Sequence, residues 1–168
     1  MDAFYQTVAG FCFTLLGLWW AVVQFRHAEW MRDLYQRRAA YSVHLSFLVP
    51  GIMSLGAMIA GDVKILWRLV FIMACAFGVL AMLLLRVRSS AAEAKPNGGF
   101  FIRQGRWLTI LLYALIAIVA AQPTLVGTLG TSLKPLQVEG LLLTLLVFVG
   151  VSVAWDFLAE PSGSTPPS

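Results

Sequence analysis

Two histidines, His27 and His44, are the first residues of this chain to consider for chemistry. Imidazole nitrogens bind metal ions and haem iron, and the ring gains or loses a proton near neutral pH. The two histidines lie near the ends of consecutive apolar stretches, so they can come close together. Ligation also needs nitrogens that face each other at one depth, which spacing alone does not establish. We therefore keep His27 and His44 as candidates for cofactor binding, and we predict no metal site and no resident cofactor.

A charged run between the same two apolar stretches is the second candidate site. Its charged candidates are Arg26, Glu29, Arg32, Arg37 and Arg38. Trp30 and Tyr35 lie among them, and aromatic side chains beside arginines are typical of a membrane surface. The run is also a topology signal, because arginines hold a loop on one side of a membrane. We predict that it binds an anionic lipid headgroup or a protein partner.

Small and polar residues in the first two apolar stretches form a third candidate. In the first stretch they recur at steps of three and four, which places them along one face of a helix. This small-residue stripe consists of Thr7, Gly10, Thr14, Gly17, Ala21 and Gln24. It predicts a face for helix packing or, alternatively, a face that lines a pore. The predicted solute path comprises Thr14 and Gln24, with Ser46 and Ser54 near Pro50.

No set of catalytic residues can be assigned. The sequence has no phosphate-binding loop, no His-Glu-x-x-His and no Gly-x-Ser-x-Gly. Cys12 and Cys75 lie within apolar stretches and are interpreted as small apolar residues rather than as a pair. The carboxylates Glu139, Asp156 and Glu160 lie near helix ends, whereas ion-coupled carriers use acids near the middle of the membrane. An enzyme is therefore not the favoured interpretation.

The elements that must position these residues are membrane-spanning helices. The chain is 60% hydrophobic and 12% charged, whereas soluble domains average about 25% charged residues. Too little charge is present to cover a surface that faces water. We predict an all-α bundle of about five transmembrane helices forming one domain, residues 1–158, with a disordered tail at residues 159–168. The predicted spans are residues 4–25, 43–61, 65–85, 107–122 and 138–158.

The distribution of positive charge predicts the orientation of this bundle. The net charge is +4, but no nucleic-acid motif is present, and the basic residues cluster between spans. Nine of the twelve basic residues fall on one side of a five-span chain: Arg26, Arg32, Arg37, Arg38, Arg86, Arg88, Lys95, Arg103 and Arg106. The positive-inside rule then places the N-terminus outside and the C-terminus in the cytoplasm. The predicted location is the cell membrane, taken by default as that of a bacterium.

Two classes of function follow. The first is a non-enzymatic accessory, assembly or self-associating membrane component that uses its basic loops to meet membrane lipids or a protein partner. The second is a passive channel or small-solute transporter built as a homo-oligomer. A weaker alternative is a membrane enzyme that acts on a lipid or quinone through His27 and His44. Nucleic acid is not an expected partner.

The orientation generates a first prediction. A cysteine introduced within residues 91–99 is expected to react with a membrane-impermeant maleimide in inverted vesicles and not in intact cells. The physical reason is that the flanking arginines resist translocation across the membrane. Labelling of that cysteine from the cell exterior would contradict the predicted threading.

Overall fold

The computed structural model describes residues 2–30, 34–61, 63–90, 100–124, 126 and 134–159. Helices account for nearly all of these residues, and the apolar composition explains why, since helices satisfy their own backbone groups without water. The helices are α1 (Asp2–Phe25), α2 (His27–Trp30), α3 (Leu34–Ala60), α4 (Lys64–Ser90), α5 (Phe100–Ala121) and α6 (Pro135–Ala159). The prediction of an all-α bundle is confirmed.

The outer surface of the bundle is apolar. Large side chains such as Ile59, Met73 and Phe148 are each more than 60% exposed, as expected where lipid replaces water. Within the described ranges, four helices are long and apolar enough to cross a membrane: α1, α3, α4 and α6. The helix α5 has 22 residues, about 33 Å at 1.5 Å per residue, but its apolar part is the shorter stretch Trp107–Ala121.

The helix α3 lies at the centre of the bundle, where it packs against α1, α4 and α6. Its membrane-spanning part is 67% buried, compared with 17–33% for the other three candidate spans. Pro50 lies within this helix and has no N–H to donate to the carbonyl of Ser46. Neighbouring helices approach α3 closely near this missing hydrogen bond. Gly51 lies against α1, and Gly150 of α6 lies against Ser46. The Pro50 region is therefore a tightly packed part of the bundle.

Consecutive long helices are antiparallel, and α1 and α6 run in the same direction. At one end, the Tyr5 hydroxyl of α1 donates a hydrogen bond of 2.8 Å to the Leu136 carbonyl of α6. At the other end, the rings of Trp19 and Phe157 lie 6.0 Å apart. The start of α3, the end of α4 and the start of α5 also lie at the end that contains Trp19 and Phe157. We call this the arginine-rich end. Arg26, Arg37, Arg38, Arg86, Arg88, Arg103 and Arg106 all belong to helix ends or connections there.

The location of these arginines at one end is consistent with the five spans of alternating direction on which the predicted orientation rests. Arg32 and Lys95 lie outside the described residues. Lys64, Arg68 and Lys134 lie at the opposite end. Which end faces the cytoplasm stays a prediction.

Several helix boundaries differ from the predicted spans. The helix α3 begins at Leu34, nine residues before the predicted start at residue 43, because Ala39, Ala40 and Val43 pack with Trp19 in a second apolar core. The turn after α3 is short, with Gly61 at a positive φ of 49°, and α3 and α4 pack against each other as neighbours. The predicted disordered tail falls almost entirely on residues 160–168, outside the described part.

The small-residue stripe of α1 faces away from the bundle. All six of its residues are exposed, whereas Tyr5, Ala9, Cys12 and Trp19 form the buried face of the same helix. A side chain added at Gly10 or Gly17 would meet nothing within 4 Å. Within one chain, then, the stripe does not pack against another helix.

Close contact between α3 and α6 generates a second prediction. A Cβ atom at Gly150 would lie 2.9 Å from the Cβ of Ser46 and 3.3 Å from the ring of Phe47. Gly150→Ala is therefore expected to lower the free energy of unfolding by about 1–3 kcal/mol, the usual cost of overpacking a core. The measurement is unfolding in detergent monitored by circular dichroism.

The matched control is Gly10→Ala, because that position has open space. There the change is expected to be neutral or stabilising by up to about 1 kcal/mol, since alanine is the better helix former. Equal effects of the two substitutions would contradict the described contact between α3 and α6.

Candidate cavity at the arginine-rich end

A cavity of about 140 Å³ lies at the arginine-rich end, between α1, α2 and α3. Its volume is close to that of cavities of about 150 Å³ that accept a benzene molecule. Aromatic and imidazole rings provide most of its wall, and one guanidinium group borders it. The lining residues are Trp19, Trp20, Val23, His27, Trp30, Arg37, Ala40, Tyr41 and His44.

One hydrogen bond and two ring contacts fix the wall of this cavity. The Trp19 indole N–H donates a hydrogen bond of 3.1 Å to the Ala40 carbonyl, which ties α1 to α3. The ring of Trp30 lies 5.9 Å from that of Trp19 and 4.8 Å from that of Phe157. Residues 19 and 30 would be about 16 Å apart along a straight helix. The chain therefore bends near Arg26, where helical hydrogen bonds from Arg26 to the Val22 carbonyl and from Trp30 to the Arg26 carbonyl still link α1 to α2.

The two histidines border the same cavity, as the sequence allowed. His44 is partly buried, and its ring lies 5.5 Å from that of Trp20 in an edge-on arrangement. The His44 Nδ1 atom is buried and has no hydrogen-bond partner in the described part of the chain. His27 is exposed. The cavity is much smaller than the pockets of about 300–1,000 Å³ that enclose drug-sized ligands, so it does not accommodate a haem.

The predicted lipid- or partner-binding residues surround this site only in part. Arg37 borders the cavity and is exposed. Arg26 and Arg38 are partly buried at the same end of the bundle. Glu29 belongs to α2, but its side chain lies outside the described part, and Arg32 lies outside it altogether. The structure thus associates one predicted arginine directly with the histidines.

The four residues of the predicted solute path are not brought together within one chain. Thr14 and Gln24 are exposed on α1, and the Thr14 hydroxyl donates to the Gly10 carbonyl of its own helix. Ser46 and Ser54 are buried on α3. The Ser46 hydroxyl donates to the Ser42 carbonyl, again within one helix. The structure therefore places two of these residues on the outer surface of the bundle and two in its interior.

Sequence reasoning missed the burial of Glu139. This glutamate lies in the second turn of α6 and is 0% exposed. Glu139 lies near a helix end, as the sequence indicated, but its side chain is completely buried and lies near Tyr5 of α1 and Cys75 of α4. The sequence does contain one indication of this burial, because most of the residues around Glu139, from Leu136 to Leu143, are apolar.

Arg68 is held by the end of α5. Its guanidinium donates hydrogen bonds of 3.0 Å and 3.4 Å to the carbonyls of Ala120 and Ala121. These carbonyls belong to the last turn of α5, which lacks helical donors and carries partial negative charge.

The fold and this surface define the chain as an integral, multi-pass membrane protein. No protein-family model, characterised protein or solved structure matches it. Across the described ranges, no group of three or more histidine, cysteine, aspartate or glutamate side chains is placed to hold a metal ion. The cavity is therefore the starting point for a functional proposal.

Proposed function

We propose that the protein is a non-enzymatic accessory component of a membrane that holds an anionic lipid headgroup at its arginine-rich end. The observation that carries this proposal is the shared cavity of Arg37, His27 and His44 among tryptophan rings. Its lining residues come from the ends of membrane-spanning helices, which is the level of lipid headgroups.

The chemistry of the lining suits a phosphate group. A guanidinium binds phosphate oxygens through parallel hydrogen bonds, and imidazole nitrogens can add further donors. Tryptophan and tyrosine rings fit the boundary between headgroups and acyl chains, where one edge is apolar and the other is wet. Basic pockets between helix ends bind anionic headgroups by these contacts. The volume of about 140 Å³ fits a headgroup fragment and excludes a macrocycle.

Lipid binding can be tested with Arg37→Gln. Protein purified from vesicles of phosphatidylcholine and phosphatidylglycerol is expected to retain phosphatidylglycerol preferentially, measured by mass spectrometry. Loss of one positive charge near the surface is worth about 1 kcal/mol, so Arg37→Gln is expected to weaken retention about fivefold. The preference should also fall as salt is added, because the attraction is screened.

The matched control is Lys64→Gln, which removes an exposed positive charge at the opposite end of the bundle. Its lipid retention should equal that of the native protein. Equal retention of the two lipids by native protein, or an equal effect of both substitutions, would contradict the proposal. Recovery of a chemically altered lipid would point instead to the membrane enzyme that uses His27 and His44.

A second candidate function, self-association through α1, is favoured by the outward direction of the small-residue stripe. Its steps of three and four match the heptad spacing along which two helices pack with a small crossing angle. The hydroxyls of Thr7 and Thr14 bond to carbonyls of their own helix, which leaves a smooth surface. In such an assembly Thr14 and Gln24 would lie between copies, where the predicted channel would also need them.

Self-association predicts that Gly17→Leu weakens the dimer about tenfold, because a bulky side chain separates helices that pack through small residues. The dissociation constant can be measured by energy transfer between labelled copies in vesicles. Ala76→Leu is the control, since Ala76 is exposed to lipid on α4. A monomeric native protein at every protein-to-lipid ratio would exclude this candidate.

A further inference from the structure

The carboxyl group of Glu139 is the most unusual buried group of the bundle. Its side chain is 0% exposed, and both of its oxygen atoms lack a hydrogen-bond partner within the described ranges. It belongs to α6, at a depth of about 6 Å from the start of that helix at 1.5 Å per residue. An acid inside a membrane bundle is costly and is a functional site by default.

Aromatic side chains enclose this position. The Tyr5 hydroxyl bonds to the Leu136 carbonyl, one turn before Glu139, so the tyrosine ring lies along the start of α6. The Tyr5 ring makes an edge-on contact of 6.5 Å with Phe71 of α4. At the adjacent Gly140, an added Cβ would lie 2.8 Å from the ring of Phe4. These contacts separate the carboxyl from water and from lipid.

No positive charge compensates this carboxyl in the described structure. The titratable groups within its electrostatic range are Tyr5 of α1 and Cys75 of α4. On α5, Tyr113 lies in turn within range of Cys75. On α3, the buried polar residues are Ser46 and Ser54, which do not titrate. Arg68 at this end is bonded to the carbonyls of α5.

Two further polar groups inside the bundle also lack partners. The hydroxyls of Ser54 on α3 and Tyr113 on α5 are buried without a hydrogen bond in the described part of the chain. A buried polar group without a partner destabilises the folded state, because it has lost its hydrogen bonds to water. Such groups are rare in folded proteins, and a functional role is one reason for a protein to keep them.

We propose that Glu139 is a reversible proton-binding site within the membrane. The carboxyl carries a proton in the enclosed arrangement, because an isolated carboxylate among aromatic rings is far less favourable than the neutral acid. Release requires the enclosing side chains to move apart and admit water; the carboxyl O–H bond then breaks, its electron pair stays on the carboxylate, and a new O–H bond forms on a water oxygen. This inference does not rest on the cavity, which lies at the other end of the bundle.

The proposal is tested by infrared difference spectroscopy of native protein against Glu139→Gln in phosphatidylcholine vesicles. The amide keeps the shape of the neutral acid. At neutral pH the native protein is expected to show the C=O stretch of a protonated carboxyl group, which the Glu139→Gln spectrum lacks. The band is expected to disappear as the pH is raised and to return when it is lowered. Asp156→Asn is the control, since it changes a partly buried acid at the opposite end of α6.

A second measurement needs no variant. An apolar carbodiimide adds to a protonated carboxyl group: the acid proton moves to nitrogen, the carboxylate oxygen bonds to the central carbon, and the adduct rearranges to a stable acylurea. Mass spectrometry is expected to place this adduct on Glu139 of native protein, with less labelling as the pH rises. A neutral-pH spectrum with only carboxylate bands at Glu139 would overturn the proposal. A carboxyl band that persists at every pH where the protein stays folded would show a fixed structural acid and would overturn it equally.

Discussion

Close approach of other helices to α3 is the constraint on which this bundle depends. In lipid, apolar side chains gain little by leaving their solvent, so helices associate through close van der Waals contact. Small residues provide that contact: Gly51 faces α1, Gly56 faces Val70 of α4, and Gly150 of α6 faces α3. The larger apolar core forms around these crossings, with Met53, Phe71, Ile116 and Leu143 fully buried. Both candidate sites lie where α1 completes this arrangement.

The two candidate sites, at opposite ends of the bundle, differ in how far their polar side chains are exposed. At the arginine-rich end, Arg37 and His27 are exposed and can exchange water for a ligand at modest cost. At the other end, Glu139 is completely buried, and Arg68 donates hydrogen bonds to backbone carbonyls of α5. Electrostatic attraction is screened in the first environment and strong in the second. The first end therefore presents charge that a ligand can reach, and the second holds a carboxyl group away from solvent.

Hydropathy and charge predicted the parts of this structure that depend on transfer from water to lipid. The spans and their order follow from apolar stretches, and the shared location of His27 and His44 follows from helix ends that meet. The direction of a helix face does not follow from these quantities. The stripe of α1 has the composition of a packing face, yet Tyr5 and Trp19 form the buried face instead. Likewise, the burial of Glu139 depends on Phe4 and Tyr5, more than 130 residues earlier in the chain.

The hydrogen bond between Tyr5 and Leu136 joins the first helix to the last. During synthesis, α1 enters the membrane long before α6 exists, so the hydroxyl of Tyr5 has no acceptor on α6 until the final span is inserted. The earlier helices can associate pairwise through their local turns, but the chamber around Glu139 cannot close. The order of synthesis therefore means that contacts between α1 and α6, including this hydrogen bond, are among the last to form within the bundle.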